Sequence, residues 1–312
     1  MNRHLHLNQG EQSRNTLQIL GQSWLLLFII IGSMFLLSGC PGKPQLAPIY
    51  PPQPEFPLTT ELVSQLINDR ISSFENLVGA GKVSINTWQE KYKFSETFVL
   101  QKPGKFRLET LGFLDQPAVF LTSNESLLTL YSKKQNICYK GVASQENLFR
   151  LSGINLAVED AILVLSGNPT RIVSPNIEWG MPLPDQQQYY FERISLLQEI
   201  VQRIWFDAER YVITYFEEAM LTNGEILLKV QFSDYRAEAG TYPVPAVIQI
   251  DRPFDNTRVQ VDYKFFDINQ QIDQDLFVFA PPSDAKIHNI DDRTLEEIEQ
   301  LAPYKEFRTT EE

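Results

Sequence analysis

From Lys91 to Leu100 the chain alternates: Tyr92, Phe94, Phe98 and Leu100 share one side, and Lys93, Ser95 and Thr97 share the other. Successive strand residues point to opposite faces, so the segment predicts a strand with one buried face. The pattern returns twice. Ile226, Leu228, Val230 and Phe232 alternate with Leu227, Lys229 and Gln231, and Val259, Val261, Tyr263 and Phe265 alternate with Gln260, Asp262 and Lys264. Apolar or β-branched runs at 81–87, 105–110, 118–122, 127–131, 135–140, 189–194, 199–206, 211–216, 246–251 and 276–280 read as further strands. Breakers such as Lys102-Pro103-Gly104, Asp207-Ala208-Glu209 and Thr222-Asn223-Gly224 separate them at hairpin distances, which predicts an antiparallel meander.

Two segments change the period from two to 3.6. Between Leu58 and Phe74, Val63, Leu66, Ile67, Ile71 and Phe74 form one stripe behind the capping residues Thr59 and Thr60. The second helix carries Val158, Ile162 and Leu165, with Asn155 as N-cap, Glu159 and Asp160 in its first turn, and Gly167-Asn168-Pro169 to stop it. The class is therefore α+β, mainly antiparallel β. The sheet's apolar face must be covered by closure, by a second sheet or by these helices. With two helices available, cover is incomplete and an apolar concavity follows.

Before this domain lies an apolar run from Trp24 to Leu37, shorter than the roughly 20 residues that a spanning helix needs. Upstream Arg3 and Arg14, and the small residues Ser38 and Gly39, fit a secretory leader. Leu37-Ser38-Gly39-Cys40 resembles the lipobox of bacterial lipoproteins, which implies cleavage before Cys40 and fatty acylation, of the palmitate kind, on its sulfur. An uncut helical anchor and a plainly secreted chain are the other readings. The divisions expected are a leader at 1–39, an acylated cysteine and linker at 40–57, one domain at 58–281 and a tail at 282–312. The linker, with seven prolines between Pro41 and Pro57, reads as an extended spacer. The tail is acidic, with a helical stretch at Thr294–Leu301.

A net charge of −12 and scattered lysines and arginines exclude a nucleic-acid footprint. Of the two cysteines, Cys138 reads as a buried strand thiol. Only His288 among the three histidines lies beyond the leader, so Ser-His-Asp or Cys-His catalysis and zinc sites are not expected. The pairs Glu217-Glu218 and Asp291-Asp292 read as solvated surface charge, because neighbouring carboxylates do not converge. Neither cofactor nor metal is expected, and no enzyme activity.

Three blocks in order, Leu77–Ile85 (LVGAGKVSI), Lys105–Gly112 (KFRLETLG) and Leu151–Pro169 (LSGINLAVEDAILVLSGNP), follow the lipobox, linker and first helix. In that order the chain resembles the LolA and LolB lipoprotein carriers and receptors, and the LolB-like receptor more nearly. The resemblance implies an unclosed half β-barrel with lid helices, the Val158, Ile162, Leu165 helix among them. It places Leu111 in a projecting transfer loop with Gly112, Phe113 and Leu114, although Thr110 stands where the family has proline, and Arg171–Gln188 reads as an insertion. Tyr92, Phe94, Phe98, Phe106 and Leu108 would line the apolar cavity or, alternatively, fill an ordinary core. The implied function is to accept acyl chains of lipoproteins, from a LolA-like periplasmic carrier, and to help insert them in the outer membrane as a localisation chaperone. Pro41 after the cysteine, rather than aspartate, implies the periplasmic face of the outer membrane. A scaffold lipoprotein that uses this fold to hold a protein partner is the alternative.

Overall fold

The computed structural model describes residues 58–183, 187–207, 209–236 and 242–291. The lipobox, the linker and the Thr294–Leu301 stretch lie outside them. Fourteen strands form one sheet in the order β14-β6-β5-β4-β3-β2-β1-β13-β12-β11-β10-β9-β8-β7. The first half is a meander: β1 (Asn76–Asn86), β2 (Lys91–Gln101), β3 (Lys105–Leu111), β4 (Pro117–Asn124), β5 (Leu127–Ser132) and β6 (Ile137–Val142). The second runs β7 (Ile177–Leu183), β8 (Gln188–Ser195), β9 (Ile200–Asp207), β10 (Val212–Met220), β11 (Ile226–Arg236), β12 (Val244–Arg252) and β13 (Thr257–Ile268). β13 returns antiparallel to β1, joining the halves, while β14 (Lys286–Asn289) lies parallel on β6. The order ends in β14 and β7, which do not pair, so the expected unclosed sheet is what forms.

Three helices cover one face. α1 (Thr60–Ser73) begins where Thr59 Oγ1 accepts from the Leu62 amide at 3.3 Å and buries Val63, Leu66 and Ile67. α2 (Gln145–Ser152), which the periodicity did not reveal, starts at Ser144 and ends on Gly153 at φ 72°. α3 (Val158–Leu165) buries Val158, Ala161, Ile162, Leu163 and Val164, while Leu165 stays half-buried. Asn155 does not cap it. The helix begins after Ala157, and Asn155 accepts from Gln145 Nε2 at 3.0 Å instead. Gly167 does end it, at φ 82°, where a Cβ would sit 2.2 Å from the Pro245 ring.

Sheet and helices meet in one core. Leu77, Phe98, Leu100, Phe106, Leu121, Leu130, Ile204, Phe216, Val230, Ile248 and Val261 supply its sheet side, and Ile67, Leu148 and Ile162 its helix side. Polar seams cross it: the Tyr263 hydroxyl donates to the Leu165 carbonyl at 3.0 Å, and buried Arg70 of α1 donates to the Pro243 carbonyl at 2.6 Å.

One expectation needs correction and two segments gain structure. Residues 276–280 are not a strand. Gln274–Phe277 forms a short 3-10 turn, and Phe279 stacks on Phe120 and Tyr131 at 4.9 and 5.1 Å, covering the outer face of β4 and β5. The apparent insertion at 171–188 contains the edge strand β7. The polar tail also begins with structure, because β14 and fully buried Ile290 extend the folded part beyond position 281.

Candidate functional site

Because neighbouring strands are antiparallel, alternate hairpins turn at the same end of the sheet. The β1–β2, β3–β4, β5–β6, β8–β9, β10–β11 and β12–β13 connections all lie at one end, here termed the rim. The register shows which inner-face residues approach it. Tyr92 pairs with Ile85, Ile85 with Val259 and Val259 with Ile250, forming one apolar row across β2, β1, β13 and β12. All four side chains are only half-buried.

Along β2 the burial loosens stepwise toward that row: Leu100, Phe98, Glu96 and Phe94 are 1, 2, 5 and 9 % exposed, and Tyr92 more so. Of the residues expected in the cavity, Phe94, Phe98 and Phe106 are therefore packed within the core, whereas Tyr92 and Leu108 lie half-buried at its border. Phe98 packs edge-on against Tyr263 at 5.0 Å. The inner face is deep and filled at one end, shallow and accessible at the rim. Ile154 and Leu156, in the α2–α3 connection, lie half-buried against this core, and Arg252 at the rim end of β12 donates to the Gly153 carbonyl at 2.7 Å.

The rim itself is apolar at its tips. Phe113 is 87 % exposed and Leu114 74 % in the β3–β4 turn, Trp88 76 % in β1–β2, Phe254 80 % in β12–β13 and Leu197 74 % in β8–β9, four hairpin turns of this end. Leu196 and Leu221 are also exposed there. Leu111, expected to project, is still in β3 opposite Ser95 and half-buried, and Gly112 is likewise half-buried; Phe113 and Leu114 protrude instead. Leu114 sits at φ 56°, ψ 36°, a left-handed conformation costing a branched residue about 1–2 kcal/mol. Two turns at the opposite end are polar, with Lys102, Pro103 and Gly104 in one and Glu125 and Ser126 in the other.

Sequence reading found one of these tips and missed Trp88, Leu196, Leu197, Leu221 and Phe254. The available signal was large apolar side chains inside turns, where Gly, Asn, Asp and Pro are the norm.

Two polar features interrupt the inner face. Glu96, between Phe94 and Phe98, accepts from Thr110 Oγ1 at 2.7 Å, and burial pushes its pKa up to about 8. On β8–β10, Arg193 donates to Gln202 Oε1 at 3.1 Å, and Gln202 Nε2 donates to Glu218 at 3.0 Å and to the Thr170 carbonyl at 3.0 Å. Burial raises the Glu218 pKa and lowers that of Arg193 to about 10. The Glu217-Glu218 pair is thus not simply solvated charge. Strand alternation turns Glu217 outward to Arg203, at 2.9 Å, and Glu218 inward to this row. Asp291 likewise caps structure, accepting from the Val142 amide at 3.1 Å.

Cys138 is fully buried and free, with its thiol pKa raised by burial, as expected of a strand thiol. His288 stacks on Tyr139 at 5.7 Å. Among the described residues no cluster of three His, Cys, Asp or Glu side chains could hold a metal, and no helix is long and apolar enough to cross a membrane.

No family model matches the chain, and no curated protein matches it. Solved structures do resemble it. A Vibrio parahaemolyticus domain assigned to outer membrane lipoprotein sorting is 12 % identical, with a TM-score of 0.49 over 70 % of this chain and 95 % of that one. A LolA superfamily protein from Nitrosomonas europaea is 8 % identical, with a TM-score of 0.47 over 72 % and 99 %. A DUF1329 family protein from Desulfovibrio piger is 12 % identical, with a TM-score of 0.49 over 70 % and 95 %. None of these three reaches a TM-score of 0.5, and the open antiparallel sheet under a helical layer is seen in this chain's own strands and helices.

Proposed function

We propose that this chain is a membrane-tethered envelope protein that takes up acyl chains of lipoproteins at the rim of its sheet and passes them to a bilayer. One observation carries the reading: the half-buried row Tyr92–Ile85–Val259–Ile250 and the protruding Trp88, Phe113, Leu114, Leu197 and Phe254 lie at the same end of the sheet. Exposed Trp, Phe and Leu on separate turns suit a soft interface into which each tip inserts independently. An apolar mouth beside them shortens the path of a lipid tail through water.

In this reading Cys40 carries the anchor and the proline-rich linker gives it reach. α3 is a lid, and Phe113 and Leu114 form the transfer loop. Each buried methylene contributes about 0.8 kcal/mol, so a long acyl chain gains on the order of 10 kcal/mol in any dry apolar site. Delivery therefore needs a hollow that is not much better than the bilayer. A core already occupied by Phe98, Phe106 and Ile162 meets that requirement, because the chain must displace side chains and the lid as it enters. A periplasmic LolA-like carrier is the expected donor and the outer membrane the acceptor.

The same filled core favours a second reading, a tethered scaffold that binds a protein partner and carries no lipid. An environment-sensitive hydrophobic dye distinguishes the two. The lipid reading expects the full chain to bind the dye, a lipopeptide to displace it, and Ile250→Arg at the mouth to weaken both at least about tenfold. Absence of displaceable binding refutes lipid handling and leaves the scaffold. Cys40→Ser should abolish fatty-acid labelling; retained label would refute that anchor.

A further inference from the structure

The outer face of the sheet, opposite the helices, carries a different surface. One row of cross-strand partners runs unbroken through six strands, Tyr190–Trp205–Tyr215–Gln231–Gln249–Gln260. With Trp179 the aromatic part forms a continuous run of tilted and edge-to-face contacts: ring centroids lie 5.3 Å apart for Trp179 and Tyr190, 5.1 Å for Tyr190 and Trp205, and 4.9 Å for Trp205 and Tyr215. A shallow recess of about 400 Å³ opens beside it, lined by Gln188, Trp205, Thr214, Tyr215 and Gln231.

The neighbouring row on the same face, Glu192–Arg203–Glu217–Lys229–Asp251–Arg258, alternates acid and base. Arg203 joins Glu192 at 3.1 Å and Glu217 at 2.9 Å, and Arg258 joins Asp251. This flank is internally compensated, so the recess beside it selects neither anion nor cation. Tyr190 and Tyr215 hydroxyls are turned to Glu192 and Glu217 at 2.8 and 2.9 Å, which leaves the rings fixed. The indole N–H of Trp205 and the exposed side-chain amide of Gln231, by contrast, have no hydrogen-bond partner among the described residues. A solvent-facing sheet needs only polar side chains. Rigid half-buried rings beside unpartnered amide and indole donors match a ligand with alternating C–H faces and hydroxyl edges.

We propose that this face binds an uncharged β-linked oligosaccharide, with Trp205 and Tyr215 stacking on sugar rings and Gln231, Gln249 and Gln188 meeting hydroxyl or acetamido groups. Six strands at about 4.8 Å spacing give a row about 24 Å long, room for a short glycan strand. The site is independent of the rim: it lies on the opposite face and uses other residues.

The test titrates the full chain in detergent with chitotetraose and with cellotetraose, by calorimetry and tryptophan emission. At least one sugar is expected to bind, with Trp205→Ala weakening binding at least about tenfold and Gln231→Ala about threefold or more. Trp205→Phe, which keeps an aromatic ring within the run, should retain part of the affinity and covers the case in which the alanine variant does not fold. If neither sugar binds at millimolar concentration, or if Gln231→Ala and Trp205→Phe both bind like the parent, the proposal is overturned. Dye binding at the rim is unaffected by that outcome.

Discussion

Replacing Glu96 by glutamine should flatten the pH dependence of stability. Glu96 is a carboxyl on the inner face between Phe94 and Phe98, 5 % exposed, with Thr110 Oγ1 donating to it at 2.7 Å. Burial is the main cause that lifts its pKa from 4.5 to about 8; the Thr110 hydrogen bond opposes this and the charge of Glu109 adds to it. The folded chain thus holds the Glu96 proton more tightly than the unfolded one. Its favourable contribution is complete below pH 4.5, fades as pH rises, and is gone once pH passes about 8. The span from 4.5 to 8, at 1.36 kcal/mol per pH unit, amounts to about 5 kcal/mol. Glutamine stays neutral and still accepts from Thr110. Urea unfolding of parent and Glu96→Gln from pH 5 to pH 9 should therefore show the parent losing stability relative to the variant by several kcal/mol across this window. Glu218, whose pKa is also raised, titrates in both proteins and cancels in the difference. Parallel curves would show that Glu96 is solvated or moves out on ionisation, and the reasoning from burial would fail.

Two further substitutions separate core from rim and test the end of the lid. Phe98→Ala should cost about 3–5 kcal/mol in unfolding free energy, whereas Phe113→Ala, at an exposed tip, should change it by less than about 0.5 kcal/mol while reducing flotation with lipid vesicles. Equal losses would show the tip to be structural. Gly167→Ala places a methyl against the Pro245 ring at φ 82° and should destabilise by about 2 kcal/mol or more by thermal unfolding; a neutral result would mean that α3 ends without needing that conformation.

Much of the sheet was legible because burial on one face imposes a period of two. β2 appears within one residue of its expected bounds, while β11 and β13 contain their expected runs and extend three or four residues beyond them at the carboxyl end. β7 was hidden because an edge strand needs no such pattern: Glu178 opposes Arg193, and Gly180 clears the Tyr189 ring, so its inward residues are polar or small. α2 is only two turns long, and buried Asn147 interrupts its stripe to hold the Val142 carbonyl and Asp291. Residues 276–280 misled for the opposite reason. Phe279 is apolar because it covers the outside of β4 and β5, and Phe277 because it is buried within the 3-10 turn; neither has a strand partner of its own. Within the candidate site, the inward-facing residues could be assigned from alternation alone. Depth could not, since Tyr92 and Phe98 look alike in sequence and differ only in distance from the helical layer. The rim depends on register and hairpin parity together, which single segments do not express.

The pairing of β1 with β13, Leu77 opposite Ile268, and of β6 with β14, Lys140 opposite Asn289, bears on how the fold is reached. A chain that emerges amino end first, from a ribosome or a secretion channel, can zip β1 to β6 early. Its two halves cannot join until nearly every residue has passed. Contacts so distant in sequence are slow to form, and until they do, the greasy side of the first meander stays bare. Folding helpers that shield such surfaces should therefore matter most late in synthesis, and chains cut short after β12 should be cleared by proteolysis rather than accumulate.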